Sequence, residues 1–572
     1  MPTDVNFMVG GEAGQGVQSV GFILAKAFAQ GGFHVFADQD YESRVRGGHN
    51  FFRVRVKDSR VGAIAEPVDM LIVFNKENID LHQAKLAKRG VIVFDGEKMR
   101  DIGGDSHLIA VPLTRLAEER AGNKLMANTV AVGAALGLVG YDFEILRQVL
   151  LERFGRGEVG ENNVKAAQAG YEYIQGNFNG DYDCRLSPIS NVKRMLLTGN
   201  DAIALGAITA GCKFMAAYPM TPASSIMEYM ASKARDVDLV MVHAEDEISA
   251  MNMTIGAAYA GVRAMTATSG GGFCLMVEGL GLAGITETPV VVVDAQRPGP
   301  AIGLPTRIEQ SDLEFVLYAS HGEFPRAVLA PATIEDAFWL TIKAFNLAEK
   351  YQLPVIILTD QHLASSYTTV DLFDLSKVTI DRGLLFAEEG ASKLGKYQRH
   401  EITKSGISPR AFPGREDVLV VTDADEHNEE GHLIEDAETR TQMMRKRMRK
   451  LFSLKQEISP PLLYGPKKAE TLLIGWGSTY GAIREAVDIL HKEGASVNLF
   501  HLNELWPFPN EAVADALANT QHSYIIENNA TGQLSHLIQA ETGRKGSGKI
   551  LKYDGRPFTP AYIAREVRKE GC

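Results

Sequence analysis

The runs VVVVD at 290–294 and VIILTD at 355–360 constrain this chain more than any other feature. Short, continuous β-branched stretches with no polar alternation suit strands covered on both faces, the environment of a parallel sheet flanked by helices. The same grammar opens the chain, where Phe7–Val9, Leu71–Phe74 and Val91–Phe94 alternate with helix-like stretches such as Val20–Ala29. It closes the chain as well: AETLLIGWGSTYGAIREAVDILHKEG reads as strand, glycine turn and helix, and SYIIENN repeats the theme. The fold class is therefore α/β throughout, with βαβ units rather than hairpins.

A chain of 572 residues is long enough for three or four cores at roughly 150 residues each. The polar, turn-rich text NGDYDCRLSPISNVKR ends a first α/β domain at about residue 180, and a second spans 194–383. Mixed charge and Pro-Gly turns mark 384–465 as a long connector packed on its neighbours, with a helix-like piece at 436–453. Residues 466–572 form a third, smaller α/β domain.

Composition removes several function classes. A formal charge of -12 leaves no basic surface for phosphate backbones, so no nucleic-acid partner is expected. The one basic cluster, MRKRMRK, reads as a solvated helix face. No apolar run approaches the roughly 20 residues of a membrane span, and the start MPTDVNFMVGGEAGQG has no basic region or cleavage site, so a cytoplasmic protein without membrane contact is expected. Cys184, Cys212, Cys274 and Cys572 lie far apart with no CxxC pair, so neither a disulfide framework nor an iron–sulfur cluster is expected on this chain. The segment DADEHNEEGH at 423–432 offers His427, His432 and several acids, but its spacing fits no standard metal site, and solvated side chains are the expectation.

Chemistry concentrates in the second region. In AAYPMTPASSIMEYM an apolar stretch ends in a turn bracketed by Pro219 and Pro222, which stiffen the loop presenting Tyr218 and Thr221; Ser224 reads as a helix N-cap. The next segment, MVHAEDEISAMNMTIGAAYAGVRAMTATSGGGFCLM, runs from a strand into an acidic turn, a helix with Gly256 and Gly261 for close approach, a strand, and a glycine loop at Ser269–Gly272. An acid at such a strand–helix junction suits an aminopyrimidine cofactor, because a carboxylate bonded to the ring nitrogen shifts the base toward its imino tautomer.

Together these segments resemble the pyrimidine-binding domain of 2-oxoacid:ferredoxin oxidoreductases. That family's Tyr-Pro-Ile-Thr-Pro turn stands here as YPMTP, with a volume-conserving Met for Ile. The resemblance implies thiamine diphosphate bordered by Tyr218, Pro219, Thr221, Glu247, Ser269 and Gly270, with Glu247 activating the cofactor and Glu245 as the alternative acid. In RPGPAIGLPTRIEQSDL it implies Arg307 as the clamp for the substrate carboxylate, with Thr221 near the reacting carbonyl. The text GGEAGQGVQSVG followed by YESRVRGGHNFFRVRV is similar to the family's gamma domain, which implies a coenzyme A side formed by Gly14, Gly16, Arg44, Arg46, Gly47 and Gly48. Structural salt bridges are the other reading of the two arginines. GWGSTYGAIREA and NELWPFP resemble the transketolase-type carboxy-terminal domain, whose role is mainly architectural.

The resemblance thus implies three α/β domains, gamma-type, pyrimidine-binding and transketolase-C-like, and an oxidative decarboxylation: 2-oxoacid, coenzyme A and oxidised ferredoxin give acyl-CoA, carbon dioxide and reduced ferredoxin. It implies a beta subunit carrying the diphosphate and Mg2+ site and a four-iron, four-sulfur cluster, in a unit doubled to a heterotetramer. The fused arrangement leans toward 2-oxoglutarate, with other 2-oxoacids open. The rival readings are a thiamine enzyme of the transketolase or lipoate-linked class, and a non-catalytic assembly subunit.

Overall fold

The computed structural model describes residues 3–43, 47–100, 102, 107–178, 182–190, 192–386, 397–414 and 418–570. The chain divides into two compact units. One takes the chain up to Leu197 with Ser365–Phe373 and Thr559–Ala561; the other takes Thr198–Ala364, Asp374–Phe558 and the stretch from Tyr562 onward. Among the described residues there are three sheets.

In the first unit an eight-stranded sheet runs Leu108–Val111, Leu86–Asp95, Val68–Val73, Asp4–Ala13, Gly47–Lys57, His34–Asp40, Tyr367–Val370, Met195–Leu197. The four strands from Leu108–Val111 to Asp4–Ala13 pair in parallel, and the rest are antiparallel. Two of its strands, Met195–Leu197 and Tyr367–Val370, come from the region that local periodicity groups with residues 194–383. Their pairing is a long-range edge contact that no local pattern announces. Helix Ala127–Val139 is apolar all round because it is buried all round. It crosses helix Glu158–Asn177 at glycine contacts: a Cβ at Gly133 would lie 1.8 Å from the Ala167 carbonyl oxygen.

In the second unit a seven-stranded sheet runs Glu504–Trp506, Ala327–Leu329, Pro354–Asp360, Val290–Gln296, Ala264–Thr268, Phe214–Ala217, Val240–His243. All neighbours pair in parallel except the outer strand Glu504–Trp506. The α/β expectation is met at its centre, where VVVVDAQ is buried along its whole length between Pro354–Asp360 and Ala264–Thr268. A five-stranded sheet, Leu462–Tyr464, Val497–Leu502, Thr471–Trp476, His522–Glu527, Gly548–Leu551, lies in the same unit, and one apolar cluster runs from Met251 and Phe273 to Trp476 and Ile525. No helix among the described residues is long and apolar enough to cross a membrane.

Three local expectations are corrected. Gly256 does not provide close approach, for a Cβ there would meet nothing within 4 Å; the tight contact comes from the facing helix Gly270–Ile285, where a Cβ at Gly279 would stand 2.7 Å from Met251 Cγ. The basic cluster is not a solvated face either. Lys446, Arg447 and Lys450, on helix Ala437–Leu454, are buried. Both lysine ammonium groups pair with Glu287, whose carboxylate also meets His400 Nδ1 at 3.0 Å, while Arg447 Nη1 donates to Glu426 Oε1 at 2.8 Å. Burial alone would raise the Glu287 carboxyl, yet the two lysines and His400 outweigh it and hold it well below the usual carboxylate range. His427 is buried too, its ring 4.0 Å from that of His400 between centroids, rather than solvated.

Removing one partner of a buried ion pair strands the others without counter-charge. Glu287→Ala is therefore expected to destabilise the second unit by about 3–5 kcal/mol, whereas alanine at the exposed Arg445 of the same helix should stay within about 0.5 kcal/mol. Thermal melts of the two variants beside the parent check the difference.

Candidate active site

Four adjacent parallel strands of the second unit end in the segments with chemical content. Phe214–Ala217 delivers YPMTP, Val240–His243 delivers the acidic turn, Ala264–Thr268 delivers the Ser-Gly loop, and Val290–Gln296 delivers the loop to Arg307. The helix after Phe214–Ala217 leads to Val240–His243 on one side, and the helix after Ala264–Thr268 leads to Val290–Gln296 on the other. Neighbouring strands whose chains depart in opposite directions open a crevice at their carboxyl ends, where α/β sheets bind ligands.

The acidic turn divides its labour. Asp246 is the N-cap, its side chain accepting from Ser249 N at 2.7 Å, and Glu245 is exposed. Glu247, the first residue of the helix, turns inward, is 3% exposed, and its Oε1 has no hydrogen-bond partner. An unpaired buried carboxylate oxygen is costly unless a ligand meets it. Gly272 lets the helix start pack directly on this carboxylate: a Cβ there would stand 2.5 Å from Glu247 Oε1 and 2.0 Å from Thr268 Oγ1. Thr268 Oγ1 in turn lies 3.9 Å from Met220 Sδ, so the Glu247 pocket and the YPMTP turn share a wall.

That turn is held from two sides. Arg297 Nη1 donates to the Thr221 carbonyl at 2.7 Å, and the buried Asn200 donates to the Pro222 carbonyl at 2.7 Å and to Ser225 Oγ at 2.8 Å. Tyr218 and Pro219 are exposed on its outer side. Ala223 rather than Ser224 caps the following helix, without a side-chain bond. Sequence reasoning missed Asn200 and Arg297. Arg297 heads the very segment that contains Arg307, and only its target distinguishes the two.

Ser269 precedes helix Gly270–Ile285, fully buried, with its hydroxyl unpartnered. Gly270 makes room for protein: a Cβ there would lie 2.3 Å from Asp312 Oδ2. Asp312 and Asp294 form an acid pair at this helix start. Burial, and then the charge of Asp312, push Asp294 well above the usual range; burial and Glu309 push Asp312 up to about 7 against the pull of Arg297. The loop 297–307 passes over Gly271, where a Cβ would be 3.6 Å from the Ala301 carbonyl oxygen and 4.0 Å from Met220 Sδ. Arg307 is half-buried further along, its stem against Gly555, where a Cβ would be 3.2 Å from Arg307 Cβ. Glu247, Ser269, Gly270 and the YPMTP turn are thus gathered at the carboxyl ends of neighbouring strands, whereas Arg307 lies further along its loop with its stem against Gly555.

In the first unit Gly14 and Gly16, with φ of 94° and 80°, form the turn before helix Val17–Gln30 and line a cavity of about 320 Å³. Its charged lining residues are Glu12, Asp40 and Glu42. Gly47 and Gly48 also take left-handed backbone, with φ of 73° and 77°, and Arg44 and Arg46 lie outside the described residues. Among the described residues no group of three or more His, Cys, Asp or Glu is arranged to hold a metal ion.

Three family models cover the chain in order. Residues 6–173 match pyruvate ferredoxin/flavodoxin oxidoreductase, residues 205–446 match the pyruvate flavodoxin/ferredoxin oxidoreductase thiamine-diphosphate-binding region, and residues 469–563 match pyruvate:ferredoxin oxidoreductase core domain II. The alpha subunit of a Sulfolobus 2-oxoacid:ferredoxin oxidoreductase is 34% identical over 97% of this chain and 95% of its own. The 2-oxoglutarate synthase subunit KorA of Methanothermobacter marburgensis is 33% identical over 65% of this chain and 97% of its own. A solved structure of 2-oxoglutarate:ferredoxin oxidoreductase from Magnetococcus marinus, with 2-oxoglutarate, coenzyme A and succinyl-CoA bound, is 34% identical, covers 99% of both chains and superposes with a TM-score of 0.92. The buried Glu247 oxygen, unpartnered at the carboxyl ends of the strands, fits the ring nitrogen of an aminopyrimidine. The chain belongs to the 2-oxoacid:ferredoxin oxidoreductase family, as an alpha subunit with its thiamine-diphosphate-binding region in the second unit.

Proposed function

We propose that this chain is the alpha half of an enzyme that oxidatively decarboxylates a 2-oxoacid, 2-oxoglutarate first, using coenzyme A as acyl acceptor and ferredoxin as electron acceptor. The observation that carries the reading is the buried Glu247 Oε1, unpartnered at the switch point of a parallel sheet. The names of the KorA relative and of the Magnetococcus enzyme support the choice of 2-oxoglutarate.

Thiamine diphosphate, when bound, supplies the nucleophilic carbon and the electron sink that a 2-oxoacid needs to lose carbon dioxide. Glu247 Oε1 bonds the pyrimidine ring nitrogen and governs the proton there, away from water that would compete for it. Thr221, its backbone fixed by Arg297, orients the substrate carbonyl. Arg307 takes the 2-oxoacid carboxylate through its planar fork. Tyr218, Pro219, Ser269 and Gly270 border the cofactor. Coenzyme A approaches the turns at Gly14, Gly16, Gly47 and Gly48, where the helix start and Arg44 and Arg46 supply the positive charge that the carboxylates of the neighbouring cavity lack.

A beta subunit completes the site with the diphosphate and Mg2+ ligands and the iron–sulfur cluster, in a doubled, cytoplasmic assembly. Ile248 and Met253 on helix Glu247–Tyr259, Leu275 on helix Gly270–Ile285, and Ile302 and Leu304 on the loop to Arg307 are exposed. Exposed apolar side chains on the elements that carry the site suit a permanent partner.

Co-production with the cluster-bearing partner and an anaerobic assay of coenzyme-A-dependent viologen reduction tests the reading. Reduction with 2-oxoglutarate that needs both chains is the expected result. Reduction with pyruvate alone would keep the class and overturn the substrate, and no reduction by any 2-oxoacid from a cofactor-loaded complex would sink the proposal. In the same complex Glu247→Gln is expected to lower kcat by about 10²–10⁴-fold and to slow exchange of the thiazolium C2 proton into deuterium oxide, measured without substrate. Arg307→Ala is expected to leave that exchange unchanged and raise KM for the 2-oxoacid roughly tenfold to a hundredfold.

A further inference from the structure

The loop that carries Arg307 is fixed by the five-stranded sheet rather than by the sheet from which it springs. Its neck closes on the seven-stranded sheet, where Asp312 N donates to Gln296 Oε1 at 3.0 Å. Beyond that neck, three turns that follow three neighbouring strands, Thr471–Trp476, His522–Glu527 and Gly548–Leu551, converge on residues 304–314. Gln310 is where most of these bonds meet. It is fully buried, and its backbone N donates to the Asn528 carbonyl at 2.7 Å. Its side-chain Oε1 accepts from Asn528 N at 3.2 Å, its Nε2 donates to the Trp476 carbonyl at 3.1 Å, and its own carbonyl accepts from Asn529 Nδ2 at 2.9 Å.

The neighbouring positions extend the grip. Gln533 Nε2 donates to the Ser311 carbonyl at 2.7 Å, and its Oε1 accepts from Glu314 N at 3.0 Å. Gly477, with φ of 55°, sits where a Cβ would come within 3.0 Å of Gln310 Nε2, and Gly555, with φ of 74°, backs the Arg307 stem. Asn528 Nδ2 donates to the Lys552 carbonyl at 3.2 Å, so the second and third turns are bonded to each other as well. A side chain and backbone that exchange four bonds with two turns have no freedom to translate, and Arg307 stands three residues away on the same loop.

We infer that Gln310 is a positioning residue for substrate binding: by bonding the Arg307 loop to Trp476, Asn528 and Asn529, it makes the five-stranded sheet part of the device that recognises the 2-oxoacid carboxylate. This rests on the reading of Arg307 as the carboxylate clamp. A bidentate clamp tolerates little displacement, since a shift of about 1 Å in a positioned group costs on the order of a hundredfold. Gln310 acts through Arg307, and not on cofactor activation, because its bonds tie the Arg307 loop to Trp476, Asn528 and Asn529 and none of them reaches Glu247 or the YPMTP turn.

The test uses the complex with the cluster-bearing partner, steady-state kinetics with 2-oxoglutarate, and hydrogen–deuterium exchange of the peptide over 304–312. Gln310→Met keeps the volume and removes the side-chain bonds. It is expected to raise KM for 2-oxoglutarate roughly tenfold or more, to leave kcat within about twofold and thiazolium C2 proton exchange unchanged, and to speed amide exchange over 304–312. Gln533→Leu, a change at the edge of the same contact, should move KM and the 304–312 exchange in the same direction by less, and carries the test if Gln310→Met fails to assemble. If Arg307→Ala raises KM while both glutamine variants keep the parent KM, the positioning role is overturned and the Arg307 reading stands. If Arg307→Ala leaves KM unchanged, the clamp reading fails and the proposal falls with it. A fall in kcat with slowed C2 proton exchange in Gln310→Met would assign Gln310 to cofactor activation and overturn the proposal as well.

Discussion

The departure of two neighbouring strands to opposite sides of a parallel sheet is the constraint on which the rest of the second unit depends. Phe214–Ala217 and Ala264–Thr268 are bonded side by side, yet their chains leave toward Val240–His243 and toward Val290–Gln296. No crossover can cover the point between them, so the carboxyl ends there stay open. Helix Glu247–Tyr259 packs against both strands, which brings its first residue to the opening. A carboxylate oxygen then lies buried without a partner, tolerated because Asp246, not Glu247, satisfies the helix start. Gly272 lets the next helix start pack on Glu247 and Thr268, and Thr268 meets the YPMTP turn at Met220.

Much of this was legible because it is local. The β-branched runs announced buried parallel strands, and the bracketing prolines, the acidic turn and the Ser-Gly loop each follow a strand within a few residues. Only the family resemblance ranked Glu247 above Glu245, since both belong to one acidic turn; the structure separates them by direction, one buried and one exposed. Asn200 left no trace, because a buried asparagine in a helix signals nothing until its target, the Pro222 carbonyl, is known.

What stayed hidden is what depends on pairs far apart in the chain. MRKRMRK has the composition of a wet helix face, and a solvated reading follows unless a buried acid waits for it; Glu287 does, 159 residues before Lys446. The same distance hid the work of the carboxy-terminal sheet. Gln310 and its partners Trp476 and Asn528 are separated by 166 and 218 residues, and each is an unremarked polar or aromatic position in its own segment. The glycine count on the helix after the acidic turn misled for a related reason: spacing shows that a close approach is possible, not which helix makes it, and Gly279 rather than Gly256 is the point of contact.

An acid pair stands at the start of helix Gly270–Ile285. Asp294 is fully buried and Asp312 half-buried, and the charge of Asp312 raises Asp294 further above the usual range. Burial thus favours the neutral form of both carboxyls, while Arg297 pulls Asp312 the other way. Because both acids are raised, they favour the folded state below the ordinary carboxylate range and lose that contribution as pH climbs through their folded values, about 7 for Asp312. Gly270 admits the Asp312 carboxylate to the helix start, where the ends of the backbone dipoles favour whatever charge remains. The arginine that tempers Asp312 also holds the Thr221 carbonyl, so one side chain links the electrostatics of this helix start to the YPMTP turn that Asn200 holds from the other side.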